Sequence, residues 1–201
     1  MTTSGATWVG ADPGGLKGFG VCVLDPHGRT DTRVVDCTDE AIDWLCERLR
    51  TPPAGMGVDA PLWYSSGRSS DRLADQWIRK TYGLPSGQVQ AANSLRGAAL
   101  VQAAMFIERL RERFPGTPAT ESHPKAVLKA LRLDETGFRC RYAITGYQGT
   151  EHERDAIIAA VAAREGFSGR WRRDLSAERH LSEQNPMRYH LAQIHYWWPD
   201  R

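Results

Sequence analysis

Trp8-Val9-Gly10-Ala11-Asp12-Pro13-Gly14-Gly15-Leu16-Lys17-Gly18-Phe19-Gly20-Val21-Cys22-Val23-Leu24-Asp25 lays down the first two elements of the chain and the first candidate site residue. A short apolar run ends in one aspartate, breaks on Pro-Gly-Gly, and resumes as a second apolar run. That pattern predicts a buried strand, a tight turn and a second strand doubling back beside the first. Asp12 falls at the mouth of this hairpin, where a carboxylate faces outward from a sheet. An acid in that position holds a metal or approaches a phosphate, or simply accepts backbone N–H groups of its own turn. The choice depends on whether other acids converge on it.

The totals narrow the class. A chain of 201 residues suits one domain with a real core, and 25% charged with 41% hydrophobic residues is the balance of a soluble globular protein. Net charge is only +2 and the pI about 8.4, below the range of a dedicated nucleic-acid binder, so any polyanionic partner must be held by local patches. Cys22, Cys37, Cys46 and Cys140 show neither a CxxC pair nor finger spacing. Cys22 and Cys46 lie in apolar runs and are expected in the core; free thiols suit a reducing compartment. Met1 to Thr7 lacks the form of a signal peptide, and no run approaches the ~18 apolar residues of a membrane span. The expectation is a soluble, cytoplasmic protein.

Along the chain, Thr32 to Cys37 reads as a third strand after the Asp25-Pro26-His27-Gly28 turn, completing an antiparallel meander. Thr38-Asp39 opens a helix carrying Ile42, Leu45, Cys46 and Leu49 on one face, and Pro52-Pro53 stops it. Gly55 to Pro61 contains a fourth strand that ends on Asp59. Residues 62–96 lose the pattern and read as a helical insert or lid. A long helix from about Ser94 to Phe114 leads to Ala119-Thr120-Glu121-Ser122, a fifth strand that also ends on an acid. Lys125 to Leu131 is helical and Asp134 to Gly149 a loop. Thr150-Glu151-His152-Glu153 is a capping box before the apolar helix Ala156 to Ala163. Residues 168–201 form a C-terminal extension with a weak helical pattern, in which Trp197-Trp198 packs the tail onto the body. The expected architecture is α/β: a mixed five-stranded sheet, three antiparallel strands then parallel ones, flanked by helices in a single domain.

Asp12, Asp59 and Glu121 each fall at the C-terminal end of a strand expected to run parallel with the others, so all three are expected at one sheet edge. Asp155 lies one turn into the last helix with His152 on the same face. Hard oxygen ligands in such a cluster suit Mg²⁺ or Mn²⁺. Two ions roughly 3.5–4 Å apart would neutralise four acids and support in-line attack of water on a phosphodiester. Each acid has a plainer reading as a turn former, an exposed strand end or, for Asp155, a partner of the helix dipole. His152 is a candidate ligand or general acid. His123 shares a face with Glu121 if the strand persists. Glu153 is fully explained by the capping box. Arg68, Arg72, Arg79 and Lys80 in the insert are candidate phosphate contacts, balanced against a solvated surface that includes Asp71 and Asp75.

The β-β-β-α-β-α-β-α order with acids at these places resembles the RNase H-like superfamily, and His152-x-x-Asp155 at the start of the final helix resembles its RuvC-like branch. The pieces Asp12-Pro-Gly-Gly, Val58-Asp59-Ala60-Pro61, Arg68-x-x-Asp71-x-x-x-Asp75-x-x-x-Arg79, Glu121-x-His-Pro124 and Glu153-Arg-Asp155-Ala156 resemble the predicted nucleases grouped as DUF429. They span Trp8 to about Glu165. The resemblance implies metal-dependent cleavage of DNA or RNA, with Asp12, Asp59, Glu121 and Asp155 as ligands. Two other readings compete: a phosphotransferase of the actin and sugar-kinase type, which ordinarily needs two copies of this fold, and a non-catalytic interaction module whose acids point apart.

Overall fold

The computed structural model describes residues 5–63, 71–91, 97–147, 149–178, 181 and 194–200. Its strands are β1 (Trp8–Asp12), β2 (Phe19–Leu24), β3 (Thr30–Val35), β4 (Gly55–Val58), β5 (Ala119–Glu121), β6 (Arg173–Asp174), β7 (Ile194–His195) and β8 (Trp197–Trp198). The helices are α1 (Thr38–Arg48), α2 (Leu73–Tyr82), α3 (Gly97–Arg113), α4 (Pro124–Leu131), α5 (Glu135–Arg141) and α6 (Glu151–Phe167). The main sheet runs β3-β2-β1-β4-β5-β7. β1 is antiparallel to β2 and β2 to β3, whereas β1–β4, β4–β5 and β5–β7 are parallel.

Side-chain alternation divides the core into two layers. Val9, Ala11, Met56 and Val58 pack with Trp44, Leu45, Phe106 and Ile107 of α1 and α3. The opposite face is covered by α6, with Trp8, Cys22 and Leu24 meeting Ala156, Ala160 and Ala163. Gly10 and Gly57 lie on that face. A Cβ on Gly10 would collide with the Ala156 carbonyl oxygen, and one on Gly57 with that of Ala159. α6 therefore rests directly on the sheet backbone, and its alanine stripe is the complement of these two glycines. Any side chain there must lift the helix, which carries His152 and Asp155. Gly57→Ala is expected to destabilise the protein by about 3 kcal/mol or more, as overpacking against rigid backbone does; urea denaturation measures it, and a loss under 1 kcal/mol would contradict the close seating.

Three local readings are corrected. Residues 135–141 are helical, because Asp134 caps α5 by accepting from Gly137 N and Phe138 is buried beneath it. Cys46 is exposed rather than in the core. In the extension, residues 194–195 and 197–198 are strand rather than helix, and β7 adds a sixth strand beside β5. Tyr196 and Trp198 are fully buried there, in keeping with the packing expected of the tail. Among the described residues no helix is long and apolar enough to cross a membrane.

Candidate metal centre

The strand register sets which acids meet. Ala11 pairs with Val58, and Val58 with Glu121, so these three form one row across β1, β4 and β5. Asp12 and Asp59 both follow that row by one residue and, by alternation, share the α6 face with Gly10 and Gly57. The Asp59 backbone N–H donates to Ala11 O at 2.8 Å, which fixes it beside β1. α6 supplies the third acid. Its first turn is held by the capping box between Thr150 and Glu153 and by Thr32 Oγ1 donating to Glu153 Oε1 at 2.9 Å. Consequently His152 reaches Asp12, Nδ1 to Oδ2 2.7 Å, and Asp155 lies one turn on.

Asp12, Asp59 and Asp155 line one open cavity of about 170 Å³ together with Pro61, His123 and Lys125. Gln88 and Gln90, from the α2–α3 connection, form part of its rim. Burial pushes the Asp12 carboxyl up to about 6, against the hydrogen bond from His152 and with help from the Asp155 charge. Asp59 is raised well above the ordinary carboxylate range, by burial first and then by Asp12 and Asp155. Asp155 is raised by burial, although Arg154 Nε donates to its Oδ1 at 2.8 Å. Lys125 lowers Asp59 and Asp155 but is itself paired with Glu151 at 2.9 Å. Among the described residues no hydrogen bond reaches the Asp59 carboxylate. Three acids that resist ionising together, one lacking a donor, form a site whose charge a hard divalent cation satisfies.

Glu121 departs from the expectation. It belongs to the Ala11–Val58 row, one residue short of Asp12 and Asp59, and it is absent from the cavity wall. Its oxygens are already engaged: Leu62 N donates at 2.9 Å, Arg72 Nη1 at 2.8 Å, Arg72 Nη2 closes a second contact, and His123 Nε2 lies at 2.9 Å. Burial alone would raise its pKa, but Arg72 and His123 outweigh burial and hold Glu121 at about 2. Asp75, Glu121 and His123 are the three described residues whose ligand atoms all lie within 4.8 Å of one another. The cation among them is the Arg72 guanidinium, which also grips Asp75 through Nε at 2.7 Å and Nη2 at 2.8 Å. Asp12, Asp59 and Asp155 are set wider, around the cavity.

The basic residues of the insert are likewise reassigned. Arg72 is completely buried and stacks on Trp63 at 4.1 Å, so it is unavailable to a phosphate. Arg79 is mostly buried and donates to Val89 O and Asp71. Lys80 is exposed on α2, and Arg68 lies outside the described residues. Lys125 lines the cavity with the acids, and nothing in its own sequence neighbourhood sets it apart from other cations except the Pro124-started helix, which aims its first turn at the cavity.

No protein-family model matches the chain, and a search of curated proteins returns no match. Among solved structures the chain is similar to Thermus thermophilus RuvC in complex with a Holliday junction substrate, at 16% identity and a TM-score of 0.43, covering 82% of this chain and 95% of that one. A second Thermus thermophilus RuvC structure is similar at 14% identity and a TM-score of 0.41, with the same coverage. The strand order β3-β2-β1-β4-β5, antiparallel then parallel and carrying α6 across its face, makes this a mixed α/β protein and agrees with the RNase H-like architecture expected from the sequence.

Proposed function

We propose that the protein is a Mg²⁺- or Mn²⁺-dependent nuclease that hydrolyses phosphodiester bonds of DNA or RNA. The observation that carries this reading is the shared cavity of Asp12, Asp59 and Asp155, brought from two strand ends and a helix to one sheet edge. Such convergence is the opposite of what a non-catalytic module predicts. Asp12, Asp59 and Asp155 are the residues that would hold the divalent cation, proposed as a pair of ions. A divalent cation there would neutralise charge on the scissile phosphate and activate water. His152 fixes Asp12 through Nδ1 and is proposed to move a proton at Nε2 during cleavage. Within the insert of the single domain, Gln88 and Gln90 reach the cavity rim, and Lys80 and Arg68 are proposed as phosphate contacts. The quoted motifs place the chain, on this proposal, beside the DUF429 nucleases, and its four free thiols fit a cytoplasmic setting.

End-labelled single-stranded, duplex and branched DNA, and RNA, incubated with the protein in Mn²⁺, Mg²⁺ or EDTA, test the reading. At least one substrate is expected to be cut with a divalent ion and none in EDTA. Equal cutting in EDTA, or none under any condition, contradicts it.

A further inference from the structure

We infer that His123 is a ligand of this metal centre: its Nδ1 and the Asp59 carboxylate share one divalent ion, while Glu121, itself held by Arg72, fixes the imidazole from behind. The inference rests on the proposed nuclease reading and changes its ligand set, replacing Glu121 by the histidine two residues on.

The ring's orientation follows from its partner. Glu121 accepts from Leu62 N and from both Arg72 Nη atoms, so it is an ionised acceptor with no proton to give. His123 Nε2, 2.9 Å from Glu121 Oε1, must therefore be the donor. In the neutral ring this leaves a lone pair on Nδ1. That atom is 3.9 Å from Asp59 Oδ1, and His123 lines the cavity with Asp59. The separation is too long for a hydrogen bond. It fits two donors each about 2.1 Å from one ion, which stand roughly 3–4.2 Å apart. A carboxylate behind the imidazole is the usual partner of a metal-bound histidine, fixing its tautomer and raising its basicity. The ring has little freedom to do anything else, being 6% exposed and packed on Tyr196 at 5.7 Å between centroids. On its other side the Arg72 guanidinium already fills the space among Asp75 and Glu121, so an ion belongs on the Asp59 side. An imidazole nitrogen suits Mn²⁺ better than Mg²⁺, which favours oxygen alone. The site is thereby biased to Mn²⁺.

Pulsed EPR of Mn²⁺-loaded protein reads nitrogen ligation directly, and calorimetric titration gives the affinities. Because His152 is also near, the comparison is made in wild type, in His152→Ala, and in His152→Ala combined with His123→Phe. Nitrogen coupling is expected in the first two and absent in the third, which should bind Mn²⁺ at least about tenfold more weakly and lose most of its preference over Mg²⁺. Mn²⁺ bound to His152→Ala without nitrogen coupling, or coupling that persists after His123→Phe, overturns the inference and leaves the metal centre standing. No Mn²⁺ binding to the wild type overturns the proposed function itself. If the double variant fails to fold, the His152→Ala spectrum alone decides.

Discussion

Asp12→Asn protein is expected to lose phosphodiester cleavage by at least about 10³-fold, roughly 4 kcal/mol of transition-state stabilisation, and yet to be more stable than wild type without metal. The two effects have one origin. Asp12 is placed where its charge is opposed by burial and by Asp155, which raises its carboxyl to about 6. A carboxyl raised on folding contributes stability that is present below its unfolded pKa, near 3.8, and lost as pH rises through about 6. At pH 7.5 the wild type has forfeited that contribution, whereas the amide never ionises. The gain expected for Asp12→Asn at pH 7.5 is about 3 kcal/mol, vanishing near pH 4. Asp155→Asn is expected to behave alike, since burial raises Asp155 too. Saturating Mn²⁺ should reverse the order, because only the wild type has the full charge that binds it. Urea denaturation at both pH values, with and without Mn²⁺, measures all four combinations. A metal-free Asp12→Asn protein less stable than wild type at pH 7.5 would mean that Asp12 is a turn former and nothing more.

The second large effect is structural. Arg72 is fully buried between Asp75 and Glu121, and Arg72→Met would leave two carboxylates without their cation. Breaking a buried ion pair from one side destabilises by about 3–5 kcal/mol. Arg72→Lys should recover little, because an ammonium cannot reproduce the planar fork that meets both acids and stacks on Trp63. The same network gives an acid limb to the stability curve. Glu121 is held at about 2 against an ordinary 4.5, so its contribution is present above pH 4.5 and is lost as pH falls through about 2. Stability measured between pH 5 and 2 should fall steeply in the wild type. In Arg72→Met that part of the slope should be missing, and an unchanged slope would deny Glu121 its pairing.

Much of the fold was legible because it is written in periodicity and turn chemistry. The Pro-Gly-Gly hairpin, the helix between two strands and the capping box at Thr150 each carry a local signal. Asp12, Asp59 and Asp155 were within reach for the same reason, being strand-end or helix-start acids. Glu121 shows where that ends. Hydrophobic pattern finds a strand but not its register, and a one-residue offset moves a side chain to the other face. Glu121 pairs level with Val58 rather than with Asp59, which sequence alone does not express. Arg72 and Asp75 failed similarly: three residues apart in a polar segment, they read as surface charge until tertiary contact buries them. β7 is two residues long and exists through pairing with β5, too short for any periodicity. The role of Gly10 and Gly57 depends on a helix more than a hundred residues later, which no local pattern expresses.

The most direct test of the metal centre is a calorimetric titration of Mn²⁺ into the metal-free protein at pH 7.5, repeated with Asp59→Asn. Asp59 is the acid to remove because its carboxylate has no competing hydrogen bond among the described residues and because Asp12 and Asp155 act on it most strongly after burial. Saturable binding by the wild type, weakened at least about 100-fold by Asp59→Asn, is the predicted result; no binding by the wild type, or equal binding by the variant, would contradict it.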